Sequence, residues 1–106
     1  RRPGDTMFRF ERKATVKNVA DMPAAVQFAA EVTAYLNKAH SLNMKFGVEL
    51  FGTASIHWSY DFESVDKSVQ LNATLLQDRA YLEMLNKARV LWVDGSAKDT
   101  IVSLVG

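Results

Sequence analysis

Apolar and polar residues alternate along residues 44–63, and this is the strongest pattern in the chain. A repeat of two residues is the side-chain period of a β-strand, and helices do not produce it. The alternation occurs in two arms joined by residues 51–54, so we predict a β-hairpin here. One face of the hairpin carries the apolar set, which consists of Met44, Phe46, Val48, Leu50, Ile56, Trp58, Tyr60 and Phe62.

The second arm of this hairpin carries three aromatic residues on its apolar face, Trp58, Tyr60 and Phe62. Burying one such side chain contributes roughly 1.5–3 kcal/mol, so we expect this arm to be the nucleus of the core. The opposite face of the hairpin is polar, and its members are Lys45, Gly47, Glu49, Ser55, His57, Ser59, Asp61 and Glu63.

A first strand begins at Phe8, where apolar Phe8, Phe10, Ala14 and Val16 alternate with polar residues. Arg12 is the one charged residue on the apolar side. Residues 1–6 are charged and contain proline and glycine, so we interpret them as a disordered tail or an expression remnant. We place the single domain at residues 7–106.

A helix is predicted after residues 18–21, with Asp21 as its N-cap and Pro23 in its first turn. Apolar residues recur at three- and four-residue steps and define its buried face, and the helix should end near residues 40–43. The predicted face comprises Ala25, Phe28, Ala29, Val32, Tyr35, Leu36 and Ala39.

Ser64 is predicted to cap a second helix, and Asp78 to cap its restart or bend. We expect Val65, Val69, Ala73 and Leu76 to form the buried stripe, flanked by Leu71 and Leu75, and then Tyr81, Leu82, Leu85 and Ala88 to continue it. Residues 94–96 indicate a turn, and the β-branched segment 100–105 a final strand.

The element order is strand, helix, strand, strand, helix, strand, which predicts an α+β fold. The arrangement is a ferredoxin-like βαββαβ sandwich, a four-stranded antiparallel sheet with two helices on one face. Right-handed crossovers place both helices on the face that carries Phe8, Phe10, Trp58 and Tyr60. The other face is polar, and it is either solvated or covered by a second subunit.

Composition narrows the classes of function. The 13 basic and 12 acidic residues give a net charge of +1, which argues against a nucleic-acid partner. No apolar stretch reaches the length of a membrane span, and the chain has no cysteine. We therefore expect a cytoplasmic protein without a membrane partner. The two histidines have no carboxylate at metal-ligand spacing, so we predict no metal and no cofactor.

The segment 58–61 (Trp-Ser-Tyr-Asp), the later segment 75–78 (Leu-Leu-Gln-Asp) and the following Tyr81 resemble NIPSNAP-like members of the dimeric α/β-barrel superfamily. The first strand is similar too, because Arg12 precedes residues 15–17 as an arginine does in that family. The resemblance covers nearly the whole chain after Met7, but Phe10 and Glu11 depart from the acidic-apolar pair common there. It implies a homodimer in which two sheets form an eight-stranded barrel. It implies no single chemistry, since the superfamily includes cofactor-independent monooxygenases, haem-binding enzymes and isomerases.

Candidate residues fall into two groups. Arg12 on an apolar face should meet a carboxylate, turn outward at a bulge, or reach an anionic ligand. With Tyr35, Trp58 and Tyr60 it forms the candidate ligand pocket between sheet and helices, although these aromatics could simply be core. The candidate polar or interface face comprises Glu49, His57, Ser59 and Asp61.

His57 could serve as a general base or a haem ligand, and an interface hydrogen bond is the commoner role for such a histidine. His40 is interpreted as a favourable charge at a helix C-terminus. No catalytic residue is assigned, and whether the protein is an enzyme is left open.

Three functions remain. In the first, the protein is a small-molecule binder or a monooxygenase-like enzyme. In the second, it is a non-catalytic homodimeric structural or interaction module. The third is RNA binding. An RNA-binding role is disfavoured because the open sheet face lacks stacking aromatics.

Overall fold

The computed structural model describes residues 6–49 and 51–105. Its elements are β1 (Met7–Thr15), α1 (Met22–His40), β2 (Lys45–Val48), β3 (Ser55–Phe62), α2 (Val65–Leu75), α3 (Arg79–Ala88) and β4 (Lys98–Leu104). The four strands form one antiparallel sheet in the order β2-β3-β1-β4. This is the predicted ferredoxin-like sandwich, with the second helix divided into α2 and α3. Residues 1–5 of the predicted tail lie outside the described residues.

The register of β1 against β3 confirms the predicted inner face. Phe8 lies opposite Phe62 and Phe10 lies opposite Tyr60, with ring centroids 5.7 and 5.2 Å apart. Directly opposite residues of antiparallel strands share a face, so these pairs form one aromatic row under the helices. Ile56, in the same row, is completely buried.

The hairpin strands are shorter than the alternation predicted. Met44 is buried but lies before β2, because its backbone N–H and carbonyl bond the side-chain amide of Asn37 on α1, at 2.7 and 3.1 Å. Beyond Val48 the chain turns back with Gly52 at a φ of 95°, a conformation that glycine adopts readily. Leu50, predicted on the apolar face, lies outside the described residues.

Helix α1 ends at His40, as predicted, and Ser41 follows in the left-handed conformation. Pro23 lies in the first turn. Asp21 holds the N-cap position, but its side chain makes no cap hydrogen bond, and in this respect the prediction was wrong. Its carboxylate accepts instead from the Asn18 side-chain amide at 3.4 Å, across a preceding 3-10 turn. Of the predicted buried face, only Ala39 is exposed.

The prediction of which side of α2 is buried was wrong. The residues predicted as its buried stripe are exposed, and the residues predicted to flank that stripe face the core. Val69 and Leu76 are each 62% exposed, whereas Leu71 and Leu75 pack partly buried against the core. Both caps were predicted correctly. Ser64 Oγ accepts from the Lys67 backbone N–H at 3.3 Å, and an Asp78 carboxylate oxygen accepts from the Tyr81 backbone N–H at 3.1 Å.

Strand β4 begins at Lys98, two residues before the predicted start at Thr100. The two added residues are charged, and Asp99 pairs with Arg12 across the β1–β4 ladder. An edge strand exposed on both faces has no simple alternation, which explains the late predicted start. Within the described residues, no helix is long and apolar enough to span a membrane.

Candidate functional site

A cavity of about 830 Å³ lies between the inner face of the sheet and the helices. Strand β3 is mostly buried whereas β4 is mostly exposed, and the cavity lining reaches as far as β4. Its lining includes Phe10, Arg12, Ala14, Trp58 and Tyr60 of the sheet, Phe28, Val32 and Leu36 of α1, Ser68, Val69, Leu71 and Leu75 of α2, Tyr81 and Leu85 of α3, and Asp99 and Ile101 of β4. Mostly apolar walls with a few polar groups are typical of small-molecule sites of this size.

Arg12 supplies a positive charge in this cavity. Its Nε and Nη2 donate to the two carboxylate oxygens of Asp99, at 2.7 and 2.8 Å, and its guanidinium carbon lies 5.6 Å from the Phe10 ring centroid. Asp99, and more weakly the Tyr81 hydroxyl, raise the pKa of Arg12, so the guanidinium stays charged. The predicted structural ion pair is present, and Arg12 also lines the cavity.

Trp58 contributes an unusual group to the same wall. The residue is only 7% exposed, and its indole N–H has no hydrogen-bond partner among the described residues. Leaving a buried donor unpaired costs about 1–3 kcal/mol, so such a group calls for an explanation. The ring packs edge-on against Trp92, at 5.8 Å between centroids, and Trp92 contacts Phe28 in the same way at 5.9 Å. These contacts fix the orientation of the indole.

Tyr60 also lines the cavity. Its hydroxyl lies 3.3 Å from the Ser68 hydroxyl, and both residues are buried. Since each hydroxyl can donate and accept, the pair retains hydrogen-bonding capacity toward a bound molecule. Ser68 was missed at the sequence level because a serine within a helical stripe carries no distinguishing signal.

Tyr35, the remaining predicted pocket residue, is not part of this cavity lining. Its hydroxyl donates to the Asp78 carboxylate, at 2.7 and 2.9 Å from the two oxygens, and this bond raises the pKa of Tyr35. His40 Nε2 lies 2.8 Å from the same carboxylate. The structure therefore brings Arg12, Trp58 and Tyr60 together and places Tyr35 in a separate cluster at the α1–α3 junction.

A shallow groove of about 370 Å³ adjoins that cluster and is lined by His40, Ala73, Thr74, Gln77 and Asp78. The Thr74 hydroxyl is occupied by the Gln70 carbonyl at 3.0 Å. Asp78 is held by His40, Tyr35 and the Tyr81 backbone N–H, which together lower its pKa to about 2. The groove thus exposes groups whose bonding capacity is largely used within the fold.

The predicted polar face is the helix-free side of the sheet. Glu49 Oε1 lies 3.0 Å from His57 Nε2 and 3.2 Å from Lys13 Nζ, and both bonds hold the pKa of Glu49 below its usual range. On the same face Arg9 forms a two-point pair with Asp61, at 2.8 and 3.2 Å, which lowers the pKa of that carboxyl.

The remaining members of this face come from all four strands. Ser59 lies opposite Glu11 on β1 and opposite Lys45 on β2. Val102 of β4 lies opposite Arg9 and is half-exposed. Among the residues described, no cluster of three histidine and carboxylate side chains is arranged to hold a metal ion.

Neither a protein-family model nor a curated protein matches the sequence. Solved structures do match. A NIPSNAP family protein of unknown function from Agrobacterium tumefaciens superposes with a TM-score of 0.82 at 23% identity, over 96% of this chain and 91% of that one. A dimeric protein of unknown function with a ferredoxin-like fold from Bacteroides fragilis gives a TM-score of 0.71 at 13% identity, over 92% and 96%.

A third similar structure, from Bacteroides thetaiotaomicron, is described as a conserved protein of unknown function and possible oxidoreductase. Its TM-score is 0.69 at 13% identity, and the match covers 95% of this chain and all 100% of that one. At such identities the likeness establishes the fold. The resemblance to NIPSNAP-like proteins seen in the sequence is confirmed at that level.

Proposed function

We propose that this chain is a NIPSNAP-like protein that binds a small, largely apolar molecule in the cavity between its sheet and helices. The observation that carries this proposal is the cavity of about 830 Å³, which an interaction module with a filled core would not have. A volume of several hundred Å³ suits a drug-sized ligand. The buried, unpartnered N–H of Trp58 on its wall supports the same assignment.

The direct test is binding of the neutral fluorescent probe N-phenyl-1-naphthylamine, whose emission rises in apolar surroundings. Val69 lies on the cavity lining and is largely exposed, so Val69→Trp should narrow the cavity while leaving the fold intact. We expect about tenfold weaker binding, equivalent to about 1.4 kcal/mol.

Val65→Trp is the matched control for this substitution. Val65 lies one turn earlier on α2, is also exposed, and does not line the cavity. This variant should bind the probe as the parent does. Absence of probe binding to the parent, or equal binding by the two variants, would contradict the proposal.

We further propose that two copies pair through the helix-free sheet faces. The Bacteroides fragilis structure of the same fold is described as dimeric. In this chain the face combines charged pairs, such as Arg9–Asp61, with the half-exposed Val102. A mixed polar and apolar surface of this kind is typical of protein interfaces. The mass in solution tests this directly.

A second candidate is a monooxygenase-like activity on the bound molecule, favoured by the likeness to the possible oxidoreductase. Without a cofactor, the electrons must come from the substrate, for example when an electron-rich CH2 group becomes a ketone while O2 supplies one oxygen atom and leaves the other as water. Oxygen uptake with anthrone, compared between the parent and Val69→Trp, tests it. Uptake no faster than without protein would eliminate this candidate while leaving ligand binding untouched.

A further inference from the structure

The cavity lining contains two residues of each charge: Arg12 and Asp99, paired on neighbouring strands and both partly exposed, and Arg89 and Asp94, both exposed. Apart from these residues the lining is mostly apolar. The position of Arg12 therefore determines what polar group a bound molecule can carry at the sheet end of the cavity.

The guanidinium of Arg12 has donors to spare. An arginine carries five N–H groups in a planar fork, and Asp99 occupies one on Nε and one on Nη2. Within the residues described, the only other polar group recorded as interacting with this side chain is the Tyr81 hydroxyl, which acts on the guanidinium more weakly than Asp99 does. The remaining N–H groups lie on the end of the fork, formed by Nη1 and Nη2, which can bind a second carboxylate in two-point fashion.

The surroundings of Arg12 favour an anion over a neutral acceptor at that end. Its side chain is only 35% exposed, and the neighbouring Phe10 and Tyr81 limit access of water. Hydrogen bonds from a charged donor to a charged acceptor are roughly twice as strong as those between neutral groups. The Asp99 side chain is 46% exposed, so solvent screens part of its repulsion of a second anion.

We propose that the cavity selects an amphipathic anion, an aromatic or aliphatic carboxylate whose charged group binds the free end of the Arg12 guanidinium and whose apolar body fills the space toward Trp58 and Tyr60. This inference rests on the proposed binding function and adds the ligand class. Asp99 is then the internal counter-charge that holds Arg12 in place without ligand and weakens anion binding by repulsion.

The test uses N-phenyl-1-naphthylamine as a neutral reporter and two competitors of the same shape, 2-naphthoic acid and 2-naphthamide, at neutral pH. In the parent we expect the acid to displace the reporter at a concentration at least about fivefold lower than the amide. Arg12→Gln should bring that ratio to about one. Asp99→Asn should raise it by a further factor of about five, because it removes the repulsion and keeps the side-chain shape.

Asp61→Asn is the matched control. Asp61, on β3, forms a two-point pair with Arg9 like the one that Asp99 forms with Arg12. Arg9 lies on β1, as Arg12 does, but its side chain is on the opposite face of the sheet. This variant should leave the acid-to-amide ratio unchanged. If Arg12→Gln fails to fold, the Asp99→Asn variant decides, since a gain in acid affinity cannot arise from misfolding.

Two outcomes distinguish a failure of the anion selectivity from a failure of the binding function. If the reporter binds but the acid and the amide compete equally in the parent and in Asp99→Asn, the anion selectivity is overturned and the apolar binding site stands. If the reporter does not bind the parent at all, the binding function itself is overturned.

Discussion

His40 Nε2 lies 2.8 Å from the Asp78 carboxylate, and this contact joins the last residue of α1 to the cap of α3. The Tyr35 hydroxyl and the Tyr81 backbone N–H bond the same carboxylate. Three donors on one carboxylate explain why the pKa of Asp78 falls to about 2. The cluster holds α3, and hence Tyr81 on the cavity wall, against α1.

The first prediction concerns pH and stability. Because folding lowers the pKa of Asp78 from about 3.8 to about 2, its stabilising effect is fully present above pH 4 and is lost as the pH falls toward 2. Asp78→Ala should therefore lower the urea midpoint clearly at pH 7, and the difference from the parent should shrink between pH 4 and 2. Asp78→Asn, which can still cap α3, should show a smaller loss.

Asp21→Ala provides the comparison for this series. Asp21 holds the N-cap position of α1 without a side-chain cap bond, so its removal should leave the midpoint nearly unchanged. A difference between Asp78→Ala and the parent that stays constant from pH 7 to 2 would show that the carboxylate charge is not involved.

The sequence predicted the architecture but only part of the site. Alternation is regular in β3 and is interrupted in β1 only at Arg12, because each strand has one inner and one open face, so the position of Trp58 and Tyr60 on the inner face could be derived from it. Asp99 could not be found, because β4 is an exposed edge strand and its pairing with Arg12 depends on register.

Tyr35 was misplaced in the pocket since helical periodicity gives a face and not a depth along the helix. The buried flank of α2 was missed because Val65 and Val69 follow the helical period equally well, and only the sheet beneath decides between the two stripes.

The second prediction concerns Trp58. Trp58→Ala removes a buried indole that packs on Trp92 and should cost about 3–5 kcal/mol, enough to unfold much of a domain of this size. Trp58→Phe keeps an aromatic ring and removes the unpartnered N–H, so lost contact area and relieved desolvation oppose each other. We expect it to cost about 1.5 kcal/mol or less, measured by urea denaturation. Equal losses in the two variants would show that the N–H is bonded in solution, and a Trp58→Ala variant as stable as the parent would show that the residue is not core.

The third prediction concerns the helix-free face. His57 is the largest cause of the lowered pKa of Glu49, and Lys13 is the next. In His57→Ala the pKa of Glu49 should rise toward its ordinary value, and a carboxyl NMR titration measures this change. The fold and probe binding should stay unchanged, because His57 is exposed and lies across the sheet from the cavity. Loss of probe binding in this variant would contradict the prediction, because it would show that the helix-free face influences binding in the cavity.

The fourth prediction concerns the assembly, through the mass in solution measured by light scattering during size-exclusion chromatography. If the helix-free faces pair, the parent should have twice the mass of the 11.9 kDa chain. Val102→Lys introduces a charge on this face opposite Arg9, so like charges meet where the two sheets would pack, and the variant should elute with the mass of one chain. Val65→Lys adds the same charge on the exposed side of α2 and should remain a dimer. A parent protein with the mass of one chain would contradict the pairing and leave the Lys13–Glu49–His57 cluster facing solvent. A dimer that persists in Val102→Lys would place the contact on another surface, such as the exposed valines of α2.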